Sequence, residues 1–209
     1  VMNQARPGDL ILFAGVGGAS DLIRFTSIAQ DWSHVGVVVR EHDQPTSPLA
    51  ITEANLTAID TDIIRGTRRA GVQTVPLRKR LETYKGGRVA WMPFIGKSVP
   101  KTVRLSFFQR MRAYDDDMVP AYCTRFWDFF EFGSRMDNDD NRDPATGRKS
   151  YVCTGWAVKV LTMFGICAKD VARTGNWLIA DFVAGTLPMR AGKCFGPIQY
   201  IVQHPQFKG

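Results

Sequence analysis

The run at residues 34–40, HVGVVVR, constrains the fold more than any other stretch of the chain. Four valines in seven positions are stiff at χ1 and suit a pleated strand rather than a helix. A strand requires partners, and short runs of similar character supply them at residues 10–13, 49–54, 71–77, 88–93 and 197–202. Turn chemistry separates the early ones: Arg6-Pro7-Gly8-Asp9 precedes the first, and a polar loop carrying Pro45 and Pro48 follows residue 40.

The period then lengthens. Residues 101–114 place Val103, Phe107, Met111 and Tyr114 on one helical face. Residues 152–164 form the strongest helical pattern, with Cys153, Ala157, Val160, Leu161 and Phe164 at helical spacing and Gly165 as a stop. Ser20-Asp21 caps a short helix bearing Leu22, Ile23, Phe25 and Ile28, and the aromatic run 126–132 reads as helical. Residues 134–149 are polar, contain Asp143-Pro144 and Thr146-Gly147, and read as an exposed loop insertion. The loop's acids, Asp137, Asp139, Asp140 and Asp143, lack the glycine and terminal glutamate of a calcium loop, so no metal site is expected. Strands, then helices, then a closing strand predict a single α+β domain over residues 1–209, long enough for a substantial core.

The formal net charge is +7, and its excess is concentrated: residues 65–112 hold thirteen Lys/Arg and a single acid, Glu82. Such a segment either solvates the surface or favours an anionic partner such as peptidoglycan or a phospholipid surface; nucleic acid is the less favoured partner. No apolar stretch is long enough to span a bilayer, and the chain does not open on a basic-then-apolar secretory pattern. A soluble protein is expected, with its compartment open, export or delivery into a target cell or periplasm included.

Three histidines and four cysteines carry most of the candidate chemistry. His42 lies in a polar loop and His204 precedes Pro205, whereas His34 follows Ser33 and opens the most β-prone segment. That is a place for a catalytic base or for a structural histidine. If residues 34–40 and 49–54 form an antiparallel hairpin closed by Arg40 opposite Ser47, His34 falls opposite Glu53, the only acid of its strand. A carboxylate there would fix one imidazole nitrogen and leave the other as base. Gly36, on the same face, would leave room beside the ring. Among the thiols, Cys153 sits at the first turn of the apolar helix, where unpaired amides and the helix dipole stabilise a thiolate. Cys123 is its competitor, Cys167 follows the helix's stop, and Cys194 lies in a glycine-rich stretch. The cysteine spacing fits no usual zinc site, and one or two disulfides are compatible with it.

The ordered segments GDLILF, SHVGVVV, ITEAN, GVQTVPL, VPAY and YVCTGWAVKVL resemble the circularly permuted branch of the NlpC-type papain-like cysteine hydrolases. That branch includes YiiX/YaeF-like proteins and enzymes related to lecithin retinol acyltransferase. The resemblance runs from Gly8 to about Val202. It implies a small antiparallel sheet packed against helices, with the nucleophile at a helix N-terminus. It also implies Cys153 as nucleophile, His34 as base, Glu53 as orienting residue and no cofactor. Tyr122 corresponds to the family's Pro-Tyr element, with Ala121 inserted, and with Thr154 and Ser33 forms the candidate substrate-binding or oxyanion set. Relatives commonly carry Cys-Ser-Glu where this chain has Cys153-Thr154-Gly155. The implied activity is cleavage of an amide or peptide-type acyl bond through a thioester. A lipid acylhydrolase or acyltransferase is the alternative, and an inactive scaffold used as a basic binding module the second.

Overall fold

The computed structural model describes residues 4–15, 32–44, 46–113, 121–122, 150–168 and 179–203. Its centre is a six-stranded antiparallel sheet built from β1 (Leu10–Ala14), β2 (His34–Val39), β3 (Ala50–Asn55), β4 (Gly71–Pro76), β5 (Arg88–Met92) and β10 (Gln199–Gln203). Across the sheet they lie in the order β10-β5-β1-β2-β3-β4. The first four form a meander, after which the chain returns to place β5 on the free side of β1. Two-stranded pairs complete the strands: β6 (Phe94–Ile95) with β9 (Cys194–Phe195), and β7 (Ala121–Tyr122) parallel to β8 (Ser150–Tyr151).

Both sheet faces are covered, which is why β1 and β2 read as continuous apolar runs rather than alternating ones. One face carries Leu10, Leu12, Val35, Val37, Val39 and Ala50. It shares a core with Trp156, Ala157, Val160 and Leu161 of helix α3 (Cys153–Met163) and with Phe107, Phe108 and Met111 of helix α2 (Lys101–Ala113). The other face carries Ile11, Phe13, Val38, Ile51, Val75, Val89 and Trp91 beneath Leu77 and Leu81 of the six-residue helix α1 (Leu77–Glu82). Each fully buried side chain of this size contributes about 1.5–3 kcal/mol of transfer free energy. A fourth helix, α4 (Ile179–Ala184), adds Ile179 and Phe182 to the first core.

Local chemistry sets the boundaries. Gly165, at φ +65°, closes α3 in a Schellman turn: Ile166 N donates to Leu161 O (2.8 Å) and Gly165 N to Thr162 O (2.9 Å). Asp9 is fully buried before β1 and accepts from Trp91 Nε1 (2.7 Å), Phe94 N (2.9 Å) and Arg6 N (2.9 Å), tying β1 to the end of β5.

The strands and the two long helices lie where the sequence places them, with ends shifted by at most two residues. Leu77 is a correction: the pattern assigns it to a strand, whereas it opens α1. Pro76 ends β4 because it offers no N–H to the ladder, and its φ of −57° suits a helix entrance. The expected helices at 20–28 and 126–132, the insertion at 134–149 and its acids Asp137, Asp139, Asp140 and Asp143 lie outside the described residues. Among the described residues, no helix is long and apolar enough to cross a membrane.

The basic segment does not form a uniform free face. Lys79 pairs with Asp60 (2.9 Å), Arg80 with Glu53 (2.7 Å), Arg104 with Asp43 (2.6 Å) and Arg112 with Glu41 (2.5 Å). Arg104 is buried and also donates to the carbonyls of Val99 and Arg40 (3.2 Å each). Acids from elsewhere in the chain thus balance part of a charge run that looks uniform in sequence.

Candidate active site

Strand β2 opens on His34, and β1 positions it: the register puts Phe13 opposite His34, with the two rings 5.6 Å apart. The side chain is only 15% exposed. Its Nε2 donates to Glu53 Oε2 at 2.5 Å. Glu53 comes from the next strand, β3, and is wholly buried.

The hairpin register differs from the sequence expectation. Val37 pairs with Thr52, Val38 with Ile51 and Val39 with Ala50, so continuing the ladder brings Glu53 opposite Gly36, not His34. The slip is two residues. A shift by an even number keeps every side chain on its face, so His34 and Glu53 still share one and meet diagonally. Gly36 makes that meeting possible in a different way from the one expected. A Cβ there would lie 2.6 Å from Ile51 Cδ1 and 3.4 Å from Glu53 Cβ, so the glycine admits the neighbouring strand's side chains.

Besides His34, one residue holds Glu53. Arg80 of α1 donates from Nε to Oε1 (2.7 Å) and from Nη2 to Oε2 (3.2 Å). Gln73, opposite Glu53 on β4, is buried and committed to the loop after β3, donating to Thr57 O (3.0 Å) and accepting from Ile59 N (2.9 Å). Burial pushes the Glu53 pKa up, but the Arg80 charge and the hydrogen bond and charge of His34 outweigh it and hold the carboxyl at about 2. Burial lowers His34, whereas hydrogen bonding to the Cys153 thiol and the Glu53 carboxylate, with the charges of both, pushes it up to about 9. The imidazole is therefore a cation at neutral pH, set between a carboxylate and a sulfur.

Cys153 is the first residue of α3 and is buried. The residue before it, Val152, is extended and offers no capping side chain, and the first intrahelical bond runs from Trp156 N to Val152 O (3.0 Å). The amides of Cys153, Thr154 and Gly155 thus precede the helix ladder and give the first turn its positive end. The helix is fixed to the sheet by Trp156 Nε1, which donates to Thr52 Oγ1 at 3.0 Å. Thr52 and Glu53 are adjacent on β3 and face opposite sides of the sheet.

The remaining sequence candidates fall as follows. Thr154 is buried in the first turn of α3 beside Cys153. Ser33 is buried; its hydroxyl accepts from Gly15 N (2.8 Å) and donates to Phe13 O (3.3 Å), stitching β2 to the end of β1. The backbone of Tyr122 pairs with Tyr151, two residues before Cys153, while its side chain lies outside the described residues. Gly155 is buried, so a carboxylate at that position would need a partner of its own. Cys123 is outside the described residues. Cys153, Cys167 and Cys194 are free thiols, and burial pushes Cys167 up to about 12. Among the described residues, no cluster of three or more His, Cys, Asp or Glu side chains forms a metal-ligand set.

Arg80 is the site residue that sequence reasoning misses. The clue was available: a glutamate buried in an apolar strand needs a cation, and Arg80 lies three residues after Leu77, on the same helical face. The chain matches no family model and no curated protein.

Proposed function

We propose that the chain is a cysteine hydrolase of the permuted papain-like type, cleaving an amide or peptide-type acyl bond. One observation carries this reading: an imidazole whose Nε2 is held by a buried carboxylate also responds to the sulfur of Cys153 at a helix N-terminus. The order along the chain, imidazole strand, carboxylate strand, then nucleophile helix, is that of the permuted branch.

In this mechanism the Cys153 thiolate attacks the carbonyl carbon, forming an S–C bond. With Nε2 engaged by Glu53, His34 delivers its Nδ1 proton to the leaving amine as the C–N bond breaks. Backbone N–H groups at the start of α3 would donate to the oxyanion, with Tyr122 as a further candidate donor. Water, deprotonated by the now neutral His34, then attacks the thioester and frees the acid. An alcohol or amine in place of water would make the reaction a transfer.

The basic-scaffold reading has less support, because Lys79, Arg80, Arg104 and Arg112 have carboxylate partners inside the protein. Intact-mass measurement after incubation with peptidoglycan fragments and, in a separate arm, phospholipid vesicles tests the proposal. An acyl adduct on Cys153 in the first arm, lost in Cys153→Ala, is the expected result. An adduct only in the second arm moves the enzyme to the lipid class, and none in either arm, with no other thiol-dependent turnover, overturns the proposal.

A further inference from the structure

A six-residue surface helix has little reason to bury an arginine, yet α1 buries two side chains, Leu77 and Arg80. The Arg80 guanidinium lies 4.3 Å from the Phe13 ring centroid and 5.3 Å from that of Tyr84. Phe13 is also the ring that packs against His34, so one aromatic floor supports the base and the arginine together. Planar stacking and a fork onto both carboxylate oxygens are what arginine provides and lysine does not.

We infer that Arg80 is a positioning residue: stacked on Phe13, it grips both oxygens of Glu53, keeps that carboxylate aimed at His34 Nε2, and so keeps the other imidazole nitrogen turned toward Cys153. The inference rests on the cysteine hydrolase reading. The charges support it. Arg80 and His34 flank the Glu53 carboxylate from two sides, so cationic groups on either side offset the one negative charge buried between them. Among the described residues, Glu53 has no other charged partner; Gln73 beside it is neutral and occupied by Thr57 and Ile59. Tyr84, from the turn after α1, faces the guanidinium with its ring.

Acylation by p-nitrophenyl acetate provides the test. An S–C bond forms on Cys153 as the acyl C–O bond of the ester breaks and p-nitrophenolate leaves, and intact mass locates the acetyl group. Rates are measured across pH for wild type, Arg80→Met and Arg80→Lys. Removing the cation raises the proton affinity of every group it faces, so both limbs of the Arg80→Met profile should move upward, by about 1 pH unit or more. Misaimed imidazole should lower its maximal rate on the order of tenfold to a hundredfold. Arg80→Lys keeps the charge but loses the fork, so its limbs should stay near wild type while its rate falls between the two. A purely structural arginine would reduce the folded fraction and scale the rate with both limbs unmoved, and that result overturns the inference. Should Arg80→Met not fold, a wild-type rate in Arg80→Lys overturns it instead. Wild type that is never acetylated on Cys153 defeats the hydrolase reading itself, and the positioning role falls with it.

Discussion

Replacing Glu53 by Gln keeps the side chain's shape and removes one charge from the centre of a buried chain of three ionic groups. In the wild-type protein His34 rises from 6.5 to about 9. At about 1.4 kcal/mol per unit this corresponds to roughly 3 kcal/mol of stability. That contribution is fully present below pH 6.5 and is lost as pH rises through 9. Glu53 is lowered from 4.5 to about 2, so its contribution is present above pH 4.5 and is lost as pH falls through 2. The two shifts share the His34–Glu53 pair, which is counted once, while the Cys153 hydrogen bond adds to the first and the Arg80 charge to the second. The variant also strands Arg80, which is 5% exposed, without its carboxylate. Breaking a buried pair from one side costs about 3–5 kcal/mol, so Glu53→Gln should lose that much at pH 7 in urea unfolding. The His34 midpoint, followed by NMR among the three histidines, should fall by about 1–3 units. Acyl transfer should slow more than substrate affinity weakens, because the imidazole loses its orientation rather than the site its shape. An unchanged unfolding midpoint together with an unchanged His34 titration would refute the electrostatic account of the site.

Cys153→Ala should abolish acyl-adduct formation while changing urea-unfolding stability by no more than about 1 kcal/mol, since only one sulfur leaves the core; residual adduct would assign the nucleophile elsewhere. Trp156→Phe leaves Thr52 Oγ1 buried without its donor and should cost about 1–3 kcal/mol in thermal unfolding. Gly36→Ala drives a methyl to within 2.6 Å of Ile51 Cδ1 and should destabilise by about 1–3 kcal/mol, with Ile51→Val recovering part of the loss. Native iodoacetamide labelling, mapped by peptide mass, should spare Cys167, which is fully buried and pushed up to about 12; modification there as fast as at exposed Cys194 would contradict the packing described.

The sequence makes the central strands legible as β-prone runs of five or six residues bounded by turn residues, and α2 and α3 legible by their helical period. It also pairs His34 with Glu53 on one face, though from a register two residues out. The link between β2 and β3 is too long for a two-residue turn to dictate the alignment, so sequence alone leaves the alignment loose while alternation preserves the face. The site is least legible at Arg80. It sits in Leu77-Arg78-Lys79-Arg80, where three consecutive cations look like solvated surface and only the spacing from Leu77 marks out the third. The short pairs β6–β9 and β7–β8 are invisible for a simpler reason: two residues cannot show a period. α1 and α4, at six residues each, barely exceed one helical turn and leave a weak one.

The consecutive residues Thr52 and Glu53 give β3 a double duty. One holds the indole of the helix that carries the sulfur, and the other holds the imidazole, from opposite sides of a single ribbon of backbone. A displacement of that ribbon would therefore act on the imidazole and on the sulfur-bearing helix together rather than on either one alone.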